Sequence, residues 1–124
     1  MQLLLFCFVT GNNDMHLKNF SLYSPANDYH LTPAYDLLNV AIVNPKDNDE
    51  LALTLSGRKS RLCLDDFLNA AKTMGLEDIV VLRLVASLQK ALPKWQKLIR
   101  NSFLGDDMKI RYEELVISRL RELH

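Results

Sequence analysis

The sequence has 124 residues, one domain's worth of chain and enough to bury a real core. Apolar residues make up 48% and charged residues 24%, the balance of a globular chain rather than a disordered or fibrous one. Fifteen Lys and Arg offset fifteen Asp and Glu, so net charge supplies no argument for binding nucleic acid or a membrane surface.

Residues 2–9 read as the end of a buried helix. The apolar run from Leu3 to Val9 is far short of the roughly 20 residues that span a bilayer, and it has neither a positive flank nor a small-residue cleavage site. Gly11-Asn12-Asn13 then reads as a sharp turn, because Gly and Asn tolerate positive φ. Residues 19–24 and 29–32 read as two short strands, with Phe20, Leu22, Tyr29 and Leu31 alternating with polar neighbours. Ser24-Pro25-Ala26-Asn27-Asp28 supplies the turn between them. Such a hairpin places Asn19 and Asp36 together at its open end, with Pro33 stiffening the approach to Tyr35-Asp36.

Residues 37–43 fit a helical turn or a strand. Residues 44–50 read as a solvated, charged loop. Leu51 to Leu55 alternates and predicts a strand ended by Ser56-Gly57. Arg58-Lys59-Ser60-Arg61 is a basic stretch, either a solvated loop or a phosphate contact. Asp65 is the expected N-cap of a helix through Met74, closed by Gly75. Glu77 and Asp78 open a long helix whose apolar face is Leu82, Val85, Leu88, Leu92, Trp95 and Ile99. Pro93 removes one backbone donor from it and is expected to kink or split it near Gln89. A last amphipathic helix runs from about Lys109 to Leu123, with Tyr112, Leu115, Val116 and Leu120 inward. Cys7 and Cys63 lie in apolar stretches without a C-x-x-C and read as reduced core thiols of a cytoplasmic protein. They and the scattered histidines lack zinc-ligand spacing.

The chemistry concentrates in Gly11 to Asn19, a polar stretch held between two apolar ones. The spacing Asp14-x-x-x-x-Asn19 is one that phosphoryl transfer uses: an acid accepts a hydroxyl proton, and an amide five residues on turns back to a magnesium ion beside the phosphates. Each residue also has a plainer reading. Asp14 can cap a turn, Asn19 can form one, and Asp36 can cap whatever follows it. His16 positions the loop, touches a γ-phosphate or makes a structural hydrogen bond. Lys18 neutralises phosphate charge or is merely solvated.

Two motifs in order shift that balance. Asn13-Asp14-Met15-His16-Leu17-Lys18-Asn19-Phe20-Ser21 is followed by Leu31-Thr32-Pro33-Ala34-Tyr35-Asp36. Together they resemble the N-D-x-H-x-K-N-x-S and L-x-P-x-Y-D signatures of HipA-family serine/threonine kinases, the toxin halves of bacterial toxin–antitoxin pairs. Asn12 stands where many protein kinases have histidine, and Leu37-Leu38 where many have Phe-Gly, so the resemblance is to the HipA-like form. It implies Asp14 as catalytic base, with His16 and Lys18 in supporting catalytic roles. It also implies Asn19 and Asp36 as ligands of magnesium and, through it, of ATP. The implied fold is α+β and mainly α: a kinase-like C-terminal lobe with a short β-hairpin at the site and a helical bundle, over residues 1–124.

Four dispersed glycines form no glycine-rich phosphate loop, and no strand lysine precedes the site. The nucleotide-clamping N-lobe is therefore expected to be absent from this stretch. Two functions follow. One is a kinase C-lobe that transfers the ATP γ-phosphate to a protein hydroxyl once completed by an N-lobe chain. The alternative is a truncated, non-catalytic module that binds an antitoxin or another partner chain. A metal-dependent hydrolase on Asp14, His16 and Asp36 is a third. None of these requires direct nucleic-acid or membrane binding.

Overall fold

The structure is a computed structural model describing residues 1–124. Four α-helices carry it: α1 (Gln2–Thr10), α2 (Leu64–Thr73), α3 (Asp78–Arg100) and α4 (Asp106–Glu122). A 3-10 turn, Leu17–Asn19, and an antiparallel pair, β1 (Leu22–Tyr23) with β2 (His30–Leu31), complete it. The architecture is α+β and mainly α, as the sequence predicts. No helix is long and apolar enough to cross a membrane.

Helix α1 is apolar on every side, and Leu5, Cys7, Phe8 and Val9 are all buried. A helix of that kind belongs inside a core, and α1 packs against both α3 and α4. Phe8 meets Phe67 of α2 edge-on at 5.1 Å between ring centroids, and Phe6 meets Trp95 of α3 at 6.0 Å. The buried line of α3 is Val81, Val85 and Ile99, with Leu84, Leu88, Leu92 and Trp95 half-buried against the core. Leu82 is 44% exposed, contrary to the sequence reading. The seam advances in steps of four and three from Val81, which turns Leu82 about 100° off it. Pro93 does not split α3, which runs unbroken over 23 residues.

Several boundaries differ from expectation. Helix α2 begins at Leu64 with Cys63, not Asp65, as N-cap; the Asp66 carboxylate reaches back to accept from the Cys63 N–H at 3.0 Å. Cys63 is exposed and is not a core thiol. Helix α4 starts earlier than expected, so that Asp106 and Asp107 lie in its first turn, where the helix dipole favours acids.

Leu51 to Leu55 is not a strand. Leu51, Ala52 and Leu55 are buried while Leu53 is exposed, so burial does not alternate. Leu55 and Arg58 instead exchange both backbone hydrogen bonds across a tight turn, with Ser56 and Gly57 both at positive φ. Residues 37–43 form no strand; they end in a single helical turn, with the Val43 and Asn44 amides donating to the Val40 carbonyl. The hairpin is shorter than expected, and Leu22, Tyr29 and Leu31 are exposed rather than packed.

Candidate functional site

The site loop starts where α1 stops. Gly11 caps the helix in the left-handed region at φ 71°. Its N–H donates to the Phe8 carbonyl and the Asn12 N–H to that of Cys7, the paired bonds of a Schellman end. The Gly11 carbonyl accepts from both Val40 and Ala41, at 3.0 and 3.1 Å. A Cβ at this position would lie 2.5 Å from Leu115 of α4. The loop's first residue is thus clamped on three sides.

From there the polar groups order one another. The Asn12 side-chain oxygen accepts from the Asp14 N–H at 3.2 Å, an Asx turn that aims Asp14 outward. The Asn12 side chain is buried, and its amide nitrogen has no partner. Met15 is buried while Asp14 and His16 are exposed, so the two polar side chains share the open face. The His16 imidazole Nε2 lies 3.4 Å from the Asp14 carboxylate. Asn19 is buried, and its side-chain amide donates to the Asp14 backbone carbonyl at 2.8 Å.

The second motif reaches the same place through Tyr35. Its hydroxyl shares a hydrogen bond with the Ser21 hydroxyl at 2.8 Å and donates to the Lys18 carbonyl at 3.3 Å. The Thr32 N–H donates to the Ser21 carbonyl, continuing the pairing of β1 and β2 toward the site. Residue 35 is thereby tied to residues 18 and 21. Asp36 follows it at φ 55°, exposed and in no ion pair or hydrogen bond. The Lys18 amine is also exposed and makes no ion pair. So Asp14, His16 and Asn19 are joined directly, Lys18 through its backbone, and Asp36 through its neighbour.

Asn19 and Asp36 suit a hard cation. The Asn19 amide nitrogen is committed to Asp14, which leaves its side-chain oxygen without a competing donor. Asp36 adds a free carboxylate, and oxygen ligands of this kind are what magnesium prefers.

Three features of the site region were not expected from the sequence. Residues 44–50 are not simply a solvated loop: the Asn13 side-chain amide donates to the Asp47 carboxylate at 3.1 Å and to the Asp49 carbonyl at 2.9 Å. Glu50 is largely enclosed and pairs with Arg119 of α4. The basic stretch after Gly57 is engaged within the fold, Arg58 with Asp66 at 2.5 Å and Lys59 with Asp49 at 3.4 Å. A bare charge run looks the same whether its partners are water or a distant helix. The apolar run around Leu51 to Leu55 was the one hint that this segment returns to the core.

A cavity of about 320 Å³ lies away from these residues between α1, α3 and α4 and is lined mostly by apolar side chains. It holds none of the predicted site residues.

The family model described as the HipA-like C-terminal domain matches residues 1–96. A Haemophilus influenzae protein named "Putative kinase" is 24% identical over 118 residues, covering 82% of this chain and 34% of that protein. "Putative kinase Y4dM" of Sinorhizobium fredii is 33% identical over 81 residues, covering 64% of this chain and 20% of that protein. A chain in the solved HipA, HipB and operator DNA complex of the Shewanella oneidensis MR-1 toxin–antitoxin system superposes with a TM-score of 0.83. That match covers 98% of this chain and 30% of the other at 21% identity, which speaks to the fold. The chain thus spans about a third or less of each of these proteins.

Proposed function

Since the chain belongs to the HipA-like C-terminal domain family, we propose that it is the catalytic half of a serine/threonine protein kinase of toxin–antitoxin type. In this proposal Asp14 accepts the proton of a protein hydroxyl as that oxygen attacks the ATP γ-phosphorus, whose bond to the β–γ bridging oxygen breaks and releases ADP. The observation that carries it is the union of Asp14 and Asn19 by one hydrogen bond, with the Asp36 segment tied to the same turn through Tyr35. Asp14 is exposed and reachable by a substrate, while Asn19 is buried and held. His16, beside the Asp14 carboxylate, steadies it, and Lys18 sits free to meet phosphate charge.

Asn19 and Asp36 are the groups that would hold magnesium, which supplies charge neutralisation at the transferring phosphate. Phosphoryl transfer depends on positioning and charge more than on covalent chemistry. These 124 residues contain no glycine-rich loop with which to cover the phosphates. The proposal therefore includes a nucleotide-clamping lobe from outside them, and an antitoxin as the regulatory partner.

A radiolabelled ATP assay tests the proposal. The chain alone should transfer phosphate at a negligible rate, and addition of an N-lobe from a full-length relative should restore transfer to serine or threonine. Asp14→Asn should abolish the restored turnover. Robust transfer by the chain alone would remove the need for the second lobe; restored transfer indifferent to Asp14→Asn would remove the proposed base.

A further inference from the structure

The residues matched by the family stop at 96, and α4 begins at 106. Yet α4 touches the site loop's supports at three points. Leu115 packs against Gly11, where no Cβ fits. The Arg111 guanidinium donates to the Ile42 carbonyl at 2.9 Å, just beyond the pair of amides that grip Gly11. Arg119 pairs with Glu50, both side chains being largely enclosed at 13% and 11% exposure.

The third contact leads furthest. Arg119 lies over the Phe8 ring at 4.8 Å, so its position is set by the core. Glu50, held by Arg119, also accepts from the Leu62 N–H at 2.8 Å, and its own N–H donates to the Lys59 carbonyl at 2.7 Å. The residue before it, Asp49, offers its carbonyl to Asn13, and Asp47 offers its carboxylate to the same amide. Asn13 directly precedes Asp14. An enclosed ion pair is weak evidence of stabilisation, because desolvation offsets most of its attraction. It does fix the geometry of whatever it joins. A polar loop of residues 44–50, with little apolar burial of its own, gains order from such a clamp.

We propose that Arg119, Glu50 and Asn13 form a positioning relay by which α4 orders the loop bearing Asp14 and Asn19. Arg119 locates Glu50, Glu50 locates the backbone of Asp49, and Asp49 with Asp47 locates Asn13. None of the three touches substrate; they act through the loop. The kinase reading above says what the ordered loop is for, but the ordering itself does not depend on that reading.

Site-resolved amide hydrogen exchange on the whole chain tests this, because it reads order whether or not phosphate is transferred. In Arg119→Met, exchange at the Asp14 and Asn19 amides should speed at least about tenfold relative to the parent protein, while exchange at Val81 and Val85 in α3 stays unchanged. Arg119→Lys, which keeps the charge, should recover part of the protection. Should Arg119→Met unfold by stranding Glu50, Asn13→Ala cuts the relay at its other end without leaving a buried charge, and the same selective loss is expected. Unchanged protection at Asp14 and Asn19 in a folded variant would overturn the relay. So would a loss spread equally over α3, the mark of general destabilisation. A selective loss in a chain that transfers no phosphate even with the N-lobe added would sustain the relay and sink the kinase reading; transfer with the lobe added but no selective loss would do the opposite.

Discussion

The side-chain amide of Asn19 donates to the backbone carbonyl of Asp14 at 2.8 Å. One bond closes a six-residue turn, occupies the Asn19 amide nitrogen and leaves the Asp14 carboxylate outside. It also separates the roles of the two residues, since Asn19 is buried and Asp14 exposed. Asn19→Ala should therefore cost about 1–2 kcal/mol of folding stability, a buried hydrogen bond with one partner left unmet. Asp14→Asn should change stability by less than about 0.5 kcal/mol, because only a surface contact with His16 is at stake. Urea denaturation of both variants checks the contrast; equal costs would mean that the turn is not built as described.

Gly11→Ala should destabilise by about 2–4 kcal/mol, combining a left-handed alanine with a methyl forced into Leu115. The double variant with Leu115→Ala should recover the steric part but not the backbone part. A midpoint shift below about 0.5 kcal/mol for the single variant would show that the loop start is free to move.

Asp66 links pH to stability. Burial raises its pKa, but the Cys63 N–H and the Arg58 guanidinium outweigh it and hold the carboxyl below its usual 3.8. A depressed folded pKa contributes stability above the unfolded value, lost as pH falls through the folded one. Melting temperature should therefore fall as pH drops below about 4, and Asp66→Asn should flatten part of that fall while lowering stability at pH 7. An acid limb of unchanged slope in Asp66→Asn would assign the effect to other carboxylates.

The two thiols should behave oppositely. Burial pushes Cys7 up to about 11, whereas Cys63 is exposed at the start of α2. A thiol-reactive chromophore at pH 8 should titrate one group in the native protein and two in denaturant. Fast reaction of both in the native state would place Cys7 at the surface.

Trp95 is half-buried, edge-on to Phe6, and lines the apolar cavity beside α1. Trp95→Ala should cost about 1.5–3 kcal/mol, less than the roughly 3–5 kcal/mol of a fully packed ring. Thermal and chemical denaturation measure it directly. A cost under about 1 kcal/mol would mean that the ring packs on nothing that matters to folding.

Much of this protein was legible before folding because the signals were local. Helices α1 to α4 follow from runs and periods of apolar residues, and Gly11 ends α1 because the chain turns left-handed there. The site motif was legible for the same reason: the Asp14–Asn19 bond joins residues five apart in one turn. Tertiary structure decided everything that needed a distant partner. Leu51 to Leu55 alternates like a strand, but no second strand lies alongside it, so the core takes Leu51, Ala52 and Leu55 instead. Leu82 lost its place to Val81 when α1, α2 and α4 set which stripe of α3 faces inward. Asp47, Asp49 and Glu50 have the composition of a solvated run; the folded chain alone places Asn13 and Arg119 against them. A charge carries no mark of its partner, and that partner lies 69 residues away in the case of Glu50 and Arg119.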